Sequence, residues 1–393
     1  MAACLLAALY AFDTAAQSSL ALPGSVRPIR LERPRIPPLP LSEWTAEQRA
    51  LATKYLGDAR PDNGFATLVR VPALVDGTKP FELYIARDST LPPRHRELLI
   101  LRTAWLMNNQ FTWAEHVPLA TTAGLTSSEI RQIAAGPESG WKPLDAALLR
   151  LADQLFRNSS VSNDVWAVVS SGHDTLGVMD AVMTVADVIS LSLLYNSLGV
   201  QPDAARPDRL PDDVPYRVVV PPRGPDLTMP RVEPVPGTGL AIGRTFARHP
   251  KLAQPRNTGS TYVNSISKLE PRLRELLILR TGWNCRSEYE WAQHVGRVGR
   301  AREVGIPIEA VAVGPTAPQW NAAERLVLLA ADELYRDSFI SDETWAALSA
   351  RFDTTMMMNV VITAANYRMV SVALNALGVQ LDPGDEKFPT VPR

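Results

Sequence analysis

Two histidines lie at matching positions in two similar segments, and each follows a glutamate at the same distance. The segments read RELLILRTAWLMNNQFTWAEHV and RELLILRTGWNCRSEYEWAQHV; the first contains Glu97 and His116, the second Glu275 and His294. An imidazole titrates near neutral pH and a carboxylate can orient it, so each pair could donate and accept protons. The chain has only 5 histidines, which argues against a chance coincidence. We expect general acid–base chemistry.

The second segment carries a further carboxylate. Glu290 precedes His294 by four residues, which places both side chains on one face of a helix that begins near Ser287. The break WNCR separates this helix from the preceding one, so a helix hairpin would bring Glu275 to the imidazole. In the first segment Thr112 stands at the position of Glu290.

Structural interpretations of these residues stay open. Ser287 and Glu290 also match a capping box, and Asn109 is a suitable helix N-cap, which leaves Thr112 without a required role. Both site glutamates could pair with nearby arginines such as Arg102 or Arg280. Each histidine could be a helix residue satisfied by a carboxylate, and one half could be inactive and serve as a scaffold.

Residues close to the two pairs could contact a substrate. Aromatic and small polar side chains fit this role, although tryptophans also serve as core or interface anchors. The candidates are Trp105, Asn109, Thr112, Trp113, Trp283, Ser287 and Trp291. An open pocket around Trp283, Trp291 and Glu290 would favour catalysis over a purely structural role.

The elements that position these residues have helical spacing. RELLILRTAW and LDAALLRLADQLF place apolar residues at i, i+3, i+4 and i+7, and no alternating β-type run competes. TSSE from Thr126 and SDETW from Ser341 are good helix starts, and a helix capped by Ser42 or Thr45 would end at Gly57. The sequence predicts an all-α fold.

The similarity between the halves extends further. LADQLFRNSSVSNDVW matches AADELYRDSFISDETW, and both halves end in LGVQ. We therefore predict an N-terminal tail or arm over residues 1–41, a first domain over 42–201, a Pro-rich linker over 202–237 and a second domain over 238–393. The repeat is a whole domain, longer than a solenoid unit of about 20 to 50 residues.

Composition limits the classes of partner. The net charge is −1, without a long basic run, which argues against nucleic acid and anionic membrane surfaces. The two cysteines, Cys4 and Cys285, suggest no disulfide framework. An apolar N-terminal stretch lacks a preceding Lys or Arg and is a weak export signal, so we expect a cytoplasmic protein. No motif indicates a metal or a nucleotide, and we expect no cofactor.

The order Glu, twelve residues, a polar-x-x-polar motif and a His four residues later resembles the carboxymuconolactone decarboxylase and alkylhydroperoxidase D-like family. LPPRHRELLILRTAW, LEPRLRELLILRTGW and the GVQ endings look like its motifs, over most of residues 42–381. The resemblance implies an all-helical fold in tandem, a homo-oligomer, and sites in clefts near subunit contacts.

The two branches of this family differ in chemistry. The peroxidase branch has a Cys-x-x-Cys pair at positions that correspond to Asn109 and Thr112, and to Ser287 and Glu290, and peroxide reduction needs those thiols. The resemblance to the decarboxylase branch implies a cofactor-free lyase or isomerase for a carboxylated lactone or a related enolisable acid. His294 would be the proton donor, with Glu275 orienting it. Glu290 would be a second acid or a substrate contact, and His116 and Glu97 would repeat the first two roles. The alternatives are a thiol peroxidase, which the missing cysteines oppose, and a non-catalytic assembly or ligand-binding protein.

Overall fold

The protein is all helical. The computed structural model describes residues 22–138 and 140–390, and within these ranges the chain forms 17 α-helices and no β-strand. The all-α prediction is confirmed. The N-terminal stretch with the weak export signal lies outside the described residues, as does Cys4. The helices before residue 201 are called the first half, and those after residue 240 the second half.

The helices alternate with short connections in both halves. The first half contains α1 to α9, which are Ala46–Leu56, Asn63–Leu68, Pro72–Arg87, Pro93–Leu106, Gln110–Thr122, Ser127–Ala135, Pro143–Asn158, Asn163–Gly172 and Thr175–Leu198. The second half contains α10 to α17, which are Ala241–Phe246, Pro250–Thr261, Pro271–Asn284, Glu288–Ala292, Ile308–Val313, Ala322–Asp337, Asp342–Ser349 and Thr354–Leu377. Two π-helical turns, Tyr262–Ile266 and Gln293–Arg297, follow α11 and α13.

Three pairs of corresponding helices have equal lengths. Helices α4 and α12 have 14 residues each, α7 and α15 have 16, and α9 and α17 have 24. Their order along the chain is also the same. The proposed domain boundaries remain a prediction, because a shared order of helices does not establish two independent folding units.

The longest helix of each half begins and ends with the same signals. Asp174 caps α9 by accepting a hydrogen bond from the third residue of the helix, and Asp353 caps α17 in the same way. Gly199 and Gly378 end these helices with φ of +74° and +71°, a left-handed conformation that glycine adopts without a Cβ clash. These local signals fix the registers of the two helices on which the core is built.

The halves share one hydrophobic core. Helix α9 packs along α17, and α3 packs against α11. The main cluster of buried apolar side chains contains residues of both halves. Helices α9 and α17 are long and apolar enough to cross a membrane, but 89% and 94% of their most apolar windows are buried inside the protein. Such burial is typical of core helices in a soluble protein.

Extended segments connect the halves reciprocally. Arg35, in the arm before the first half, donates to the Ile340 carbonyl oxygen at 2.8 Å and lies over the ring of Trp345. Arg231, in the segment before the second half, donates to the Val161 carbonyl oxygen at 3.0 Å and lies over Trp166. The segment before the first half therefore binds the second half, and the segment before the second half binds the first.

Candidate functional site

The first Glu–His pair lies on a helix hairpin. Helix α4 carries Glu97 and α5 carries His116, and between them Asn108 takes the left-handed conformation with φ of 50°. The side chain of Asn109 caps α5 by accepting a hydrogen bond from the Thr112 backbone N–H at 2.9 Å. The tight break turns the chain back, so the two helices pack against each other and their side chains meet.

The Glu97 carboxylate orients the imidazole of His116. Nδ1 of His116 lies 2.8 Å from Oε2 of Glu97, and Glu97 is 1% exposed. Arg96 donates from Nε to the other carboxylate oxygen at 3.4 Å. The side chain of His116 keeps 25% exposure, and within residues 22–138 and 140–390 its Nε2 has no hydrogen-bond partner. This nitrogen is left for a ligand.

His116 and Glu97 line a cavity of about 390 Å³ between α3, α4, α5 and α9. Its apolar wall includes Ile100, Val188 and Leu191, and Thr112 lies on the same wall as His116. The volume is within the range of about 300 to 1,000 Å³ that small-molecule sites occupy. The arrangement combines a cavity of mixed polarity with an oriented imidazole, which could transfer a proton to a small organic substrate.

The cavity also contains charged residues that the sequence analysis did not identify. Lys79 is 8% exposed and binds Glu82 through Nζ and Oε2 at 2.6 Å. Asp187, on α9, is also 8% exposed. They are distant from the Glu–His motif in sequence and belong to helices with no motif of their own. Only the packing of α3 and α9 around α4 reveals them.

The second Glu–His pair forms a closed cluster. Nδ1 of His294 lies 2.8 Å from Oε2 of Glu275, and Nε2 lies 3.0 Å from Oε1 of Glu290. The three residues are 2% to 4% exposed. Burial lowers the pKa of His294, but hydrogen bonds to the two carboxylates and their negative charges outweigh this effect and raise the pKa to about 9. This histidine is therefore a cation at neutral pH, with both nitrogens occupied.

Two further features cover the second cluster. The ring of Tyr367 meets the imidazole of His294 edge to face, with centroids 4.9 Å apart. The backbone at Gly299 passes so close that an added Cβ would lie 2.3 Å from the His294 carbonyl oxygen and 2.7 Å from Oε2 of Glu275. Only glycine fits there, and the chain folds directly over the cluster.

Two substitutions between the halves account for the difference. Thr112 lines the cavity at the position that Glu290 holds in the second half, and Glu290 occupies the imidazole Nε2. Val188 lines the cavity at the position that Tyr367 holds, counted from the aspartates that cap α9 and α17. Small side chains leave space beside His116, whereas larger ones fill it beside His294.

The tryptophans proposed as substrate contacts are mostly buried. Trp105 is 0% exposed and packs against Tyr216 with ring centroids 5.0 Å apart. Trp283 and Trp291 are 7% and 1% exposed and form an aromatic cluster with Phe388. Trp113 is 2% exposed and borders a different surface groove. This placement matches the alternative role of tryptophans as packing anchors.

The structural alternatives for the polar residues have mixed outcomes. Asn109 is a helix N-cap, as its structural interpretation predicted. Ser287 lies at the start of α13 without a capping hydrogen bond, because Glu290 is turned toward His294. Arg102 and Arg280 do not hold the site glutamates. Each instead forms two hydrogen bonds with an aspartate of the helix packed against it, at 2.6 to 3.0 Å.

The described cysteine is not placed for reaction. Cys285 is 1% exposed, and burial raises the pKa of its thiol. Its neighbours include the side chain of Asn375, which donates to the Cys285 carbonyl oxygen at 2.9 Å. Within residues 22–138 and 140–390 no group of three or more His, Cys, Asp or Glu residues could hold a metal ion.

Comparison with known proteins supports the family resemblance. Residues 72–153, which include Glu97 and His116, match the model of the carboxymuconolactone decarboxylase family. No curated protein and no solved structure matches the chain. At the level of the family, this match suggests a decarboxylase-like or alkylhydroperoxidase-like function. Residues 72–153 are therefore similar to the carboxymuconolactone decarboxylase family.

Proposed function

We propose that the cavity beside His116 and Glu97 is the active site of a cofactor-free lyase or isomerase. Its substrate would be a carboxylated lactone or a related enolisable acid. The observation that supports this proposal is the orientation of the imidazole, whose Nδ1 is held by Glu97 at 2.8 Å while its other nitrogen is left beside a cavity of about 390 Å³. The family match covers residues 72–153, which include His116 and Glu97.

The pair can carry a proton in both directions. Glu97 accepts the Nδ1–H of His116, which fixes the tautomer and stabilises the imidazolium when Nε2 binds a proton. In decarboxylation, the C–C bond to the carboxylate breaks and its electron pair moves into the conjugated carbonyl group. Carbon dioxide leaves, and the imidazolium protonates the resulting carbanion. In isomerisation, the neutral imidazole removes a proton from one carbon and returns it to another.

The geometry favours the first half over the second, although the sequence analysis assigned the proton donor to His294. Both nitrogens of His294 are bound by carboxylates, and Tyr367 covers the ring. A substrate would have to displace Glu290 from a buried ion pair, which costs several kcal/mol. His116 needs no such displacement. We therefore assign catalysis to the first half and a structural role to the second.

The peroxidase alternative lacks the required thiols. The positions of the family's cysteine pair are Asn109 and Thr112 in the first half, and Ser287 and Glu290 in the second. A hydroxyl, amide or carboxylate cannot replace a thiolate in disulfide-forming peroxide reduction. Cys285 is buried and has a raised thiol pKa.

Turnover of 4-carboxymuconolactone would test the proposal. The reaction would be followed by ultraviolet absorbance and by release of carbon dioxide, with peroxide plus a thiol reductant as a separate assay. We expect His116→Ala to reduce kcat by about 10²- to 10⁴-fold, the usual contribution of a general acid or base. Glu97→Gln would keep a hydrogen bond to Nδ1 but would no longer stabilise the positive charge of the imidazolium. We expect a smaller loss of kcat than for His116→Ala.

His294→Gln is the matched control in the second half. It should retain kcat under conditions where circular dichroism shows that it is folded. If His294→Gln lost activity and His116→Ala kept it, the reaction would take place in the second half, which would contradict this proposal. Absence of decarboxylation and isomerisation in the wild type, with this lactone and other enolisable acids, would contradict the assigned chemistry.

A further inference from the structure

The cavity beside His116 contains a buried carboxyl group that the proposed reaction has not yet used. Asp187 lies on α9, is 8% exposed and borders the same cavity as His116 and Glu97. Within residues 22–138 and 140–390 its carboxyl forms no hydrogen bond and no ion pair. Buried polar side chains usually have partners, so this carboxyl is free to bond to a ligand or to water in the cavity.

The nearest cation is already committed to another carboxylate. Lys79 binds Glu82 through Nζ and Oε2 at 2.6 Å. Burial and the negative charge of Glu82 raise the pKa of Asp187 well above its usual value, and the opposing effect of Lys79 is smaller. This raised pKa favours the protonated form of the Asp187 carboxyl, which has one O–H donor.

A neutral acid beside an enolising substrate has a specific use. When a proton or carbon dioxide leaves the carbon next to a carbonyl group, the electron pair moves to the carbonyl oxygen. A donor aimed at that oxygen stabilises the developing charge, and a donor already held in place by the fold needs little reorganisation. A protonated carboxyl can supply this hydrogen bond, whereas an ionised one would repel the oxygen.

The second half shows what replaces this group where there is no open site. Counted from the capping aspartates of α9 and α17, the position of Asp187 is Asn366, and the next residue is Tyr367 instead of Val188. Tyr367 lies against His294. The first half, which has the cavity, therefore has a carboxyl group at this position, and the second half, where the space is filled, has the amide of Asn366.

We propose that Asp187 is a second catalytic residue, the hydrogen-bond donor to the carbonyl oxygen of a lactone or enone substrate held beside His116. This inference rests on the proposed function of the cavity. During reaction the electron pair of the broken C–H or C–C bond forms a new C=C bond, and the carbonyl π electrons move to the oxygen bound by Asp187. His116 then delivers the proton to carbon and the carbonyl group is restored. No further reactant is needed.

Three variants separate this role from a structural one. Asp187→Asn keeps the shape and an N–H donor but cannot be protonated, Asp187→Ala removes the donor, and Asn366→Ala is the matched change in the second half. Infrared spectroscopy should show the carbonyl band of a protonated carboxyl in the wild type and in Asn366→Ala. The band should be absent from Asp187→Asn.

Ligand binding supplies a readout that does not depend on turnover. The probe is 4-nitrophenolate, whose oxygen resembles that of an enolate and whose absorbance reports binding. We expect Asp187→Ala to bind it about 10- to 100-fold more weakly than the wild type, Asp187→Asn to bind with intermediate affinity, and Asn366→Ala to match the wild type. Circular dichroism would establish that each variant is folded.

Kinetics would complete the test on any substrate that the wild type turns over. Asp187→Ala should lower kcat by about 10²- to 10³-fold with little change in KM, and Asp187→Asn should lose less. A protonated-carboxyl band that persists in Asp187→Asn, or equal phenolate affinity in Asp187→Ala and wild type, would overturn the assignment. Absence of any turnover in the wild type would instead contradict the proposed function, since the infrared and binding results do not depend on it.

Discussion

The buried cluster of His294 with Glu275 and Glu290 should make the stability of the protein depend on pH in the alkaline range. The perturbation is His294→Gln, which removes the cation and leaves an amide of similar size. Burial lowers the pKa of His294, but the hydrogen bonds that its ring donates to the two carboxylates outweigh this effect, and the pKa rises from 6.5 to about 9 on folding. At about 1.4 kcal/mol per pH unit, this shift contributes about 3 kcal/mol to the free energy of unfolding.

The direction of the effect follows from where the proton is held more tightly. The folded-state pKa of His294 lies above the unfolded-state value, so the folded protein binds the proton better. The stabilisation is complete below a pH of about 6.5 and is lost as the pH rises through about 9. Removal of one member of a buried ion pair costs about 3 to 5 kcal/mol, which agrees with this magnitude.

Urea unfolding followed by far-ultraviolet circular dichroism, at pH values from 6 to 10, would measure the effect. Between pH 6.5 and 9.5 the wild type should lose about 3 kcal/mol of unfolding free energy that His294→Gln does not lose. His116→Gln is the matched control and should keep the wild-type slope, because it leaves the cluster intact. Equal slopes for the wild type and His294→Gln would refute the assignment of the charge to this cluster.

Three other outcomes are expected. Diethyl pyrocarbonate should modify His116 and spare His294, since their side chains are 25% and 4% exposed; peptide mass spectrometry would show it, and equal labelling would contradict the difference between the halves. Cys285 is buried, so its peptide should resist a thiol reagent in the native protein and react in urea; rapid native labelling would disagree. Arg102→Met should lower the unfolding free energy by about 3 to 5 kcal/mol by leaving Asp153 buried without its cation; a loss below about 1 kcal/mol would show that the pair is not desolvated.

The parts of the structure that could be predicted from the sequence are those with local signals. Helical spacing of apolar residues indicated the all-α fold, and caps such as Thr45 and Thr126 lie at helix starts in the structure. The Glu–His hairpin could also be predicted from the sequence, because a short break between two helices lets the second helix fold back against the first. Each of these inferences needs only residues that are close in sequence.

The difference between the halves could not be predicted in the same way. The space beside each histidine depends on Val188 or Tyr367, which lie about 70 residues further along the chain on the last helix of each half. The acid at Asp187 and the Lys79–Glu82 pair reach the cavity from helices with no recognisable motif. Conversely, tryptophans next to the motif were natural candidates for substrate contacts, but large aromatic side chains contribute most when buried.

The shared core gives a physical reason for the divergence of the halves. A cavity and a buried carboxyl without a partner both reduce stability, and the first half has both beside His116. The second half has filled the equivalent space with Tyr367 and tied its histidine to two carboxylates. Because α9 and α17 pack together within one apolar cluster, stabilisation of the second half also resists unfolding of the first. An open cavity with an unpartnered carboxyl can then persist in the first half, because the second half adds stability to the core that both share.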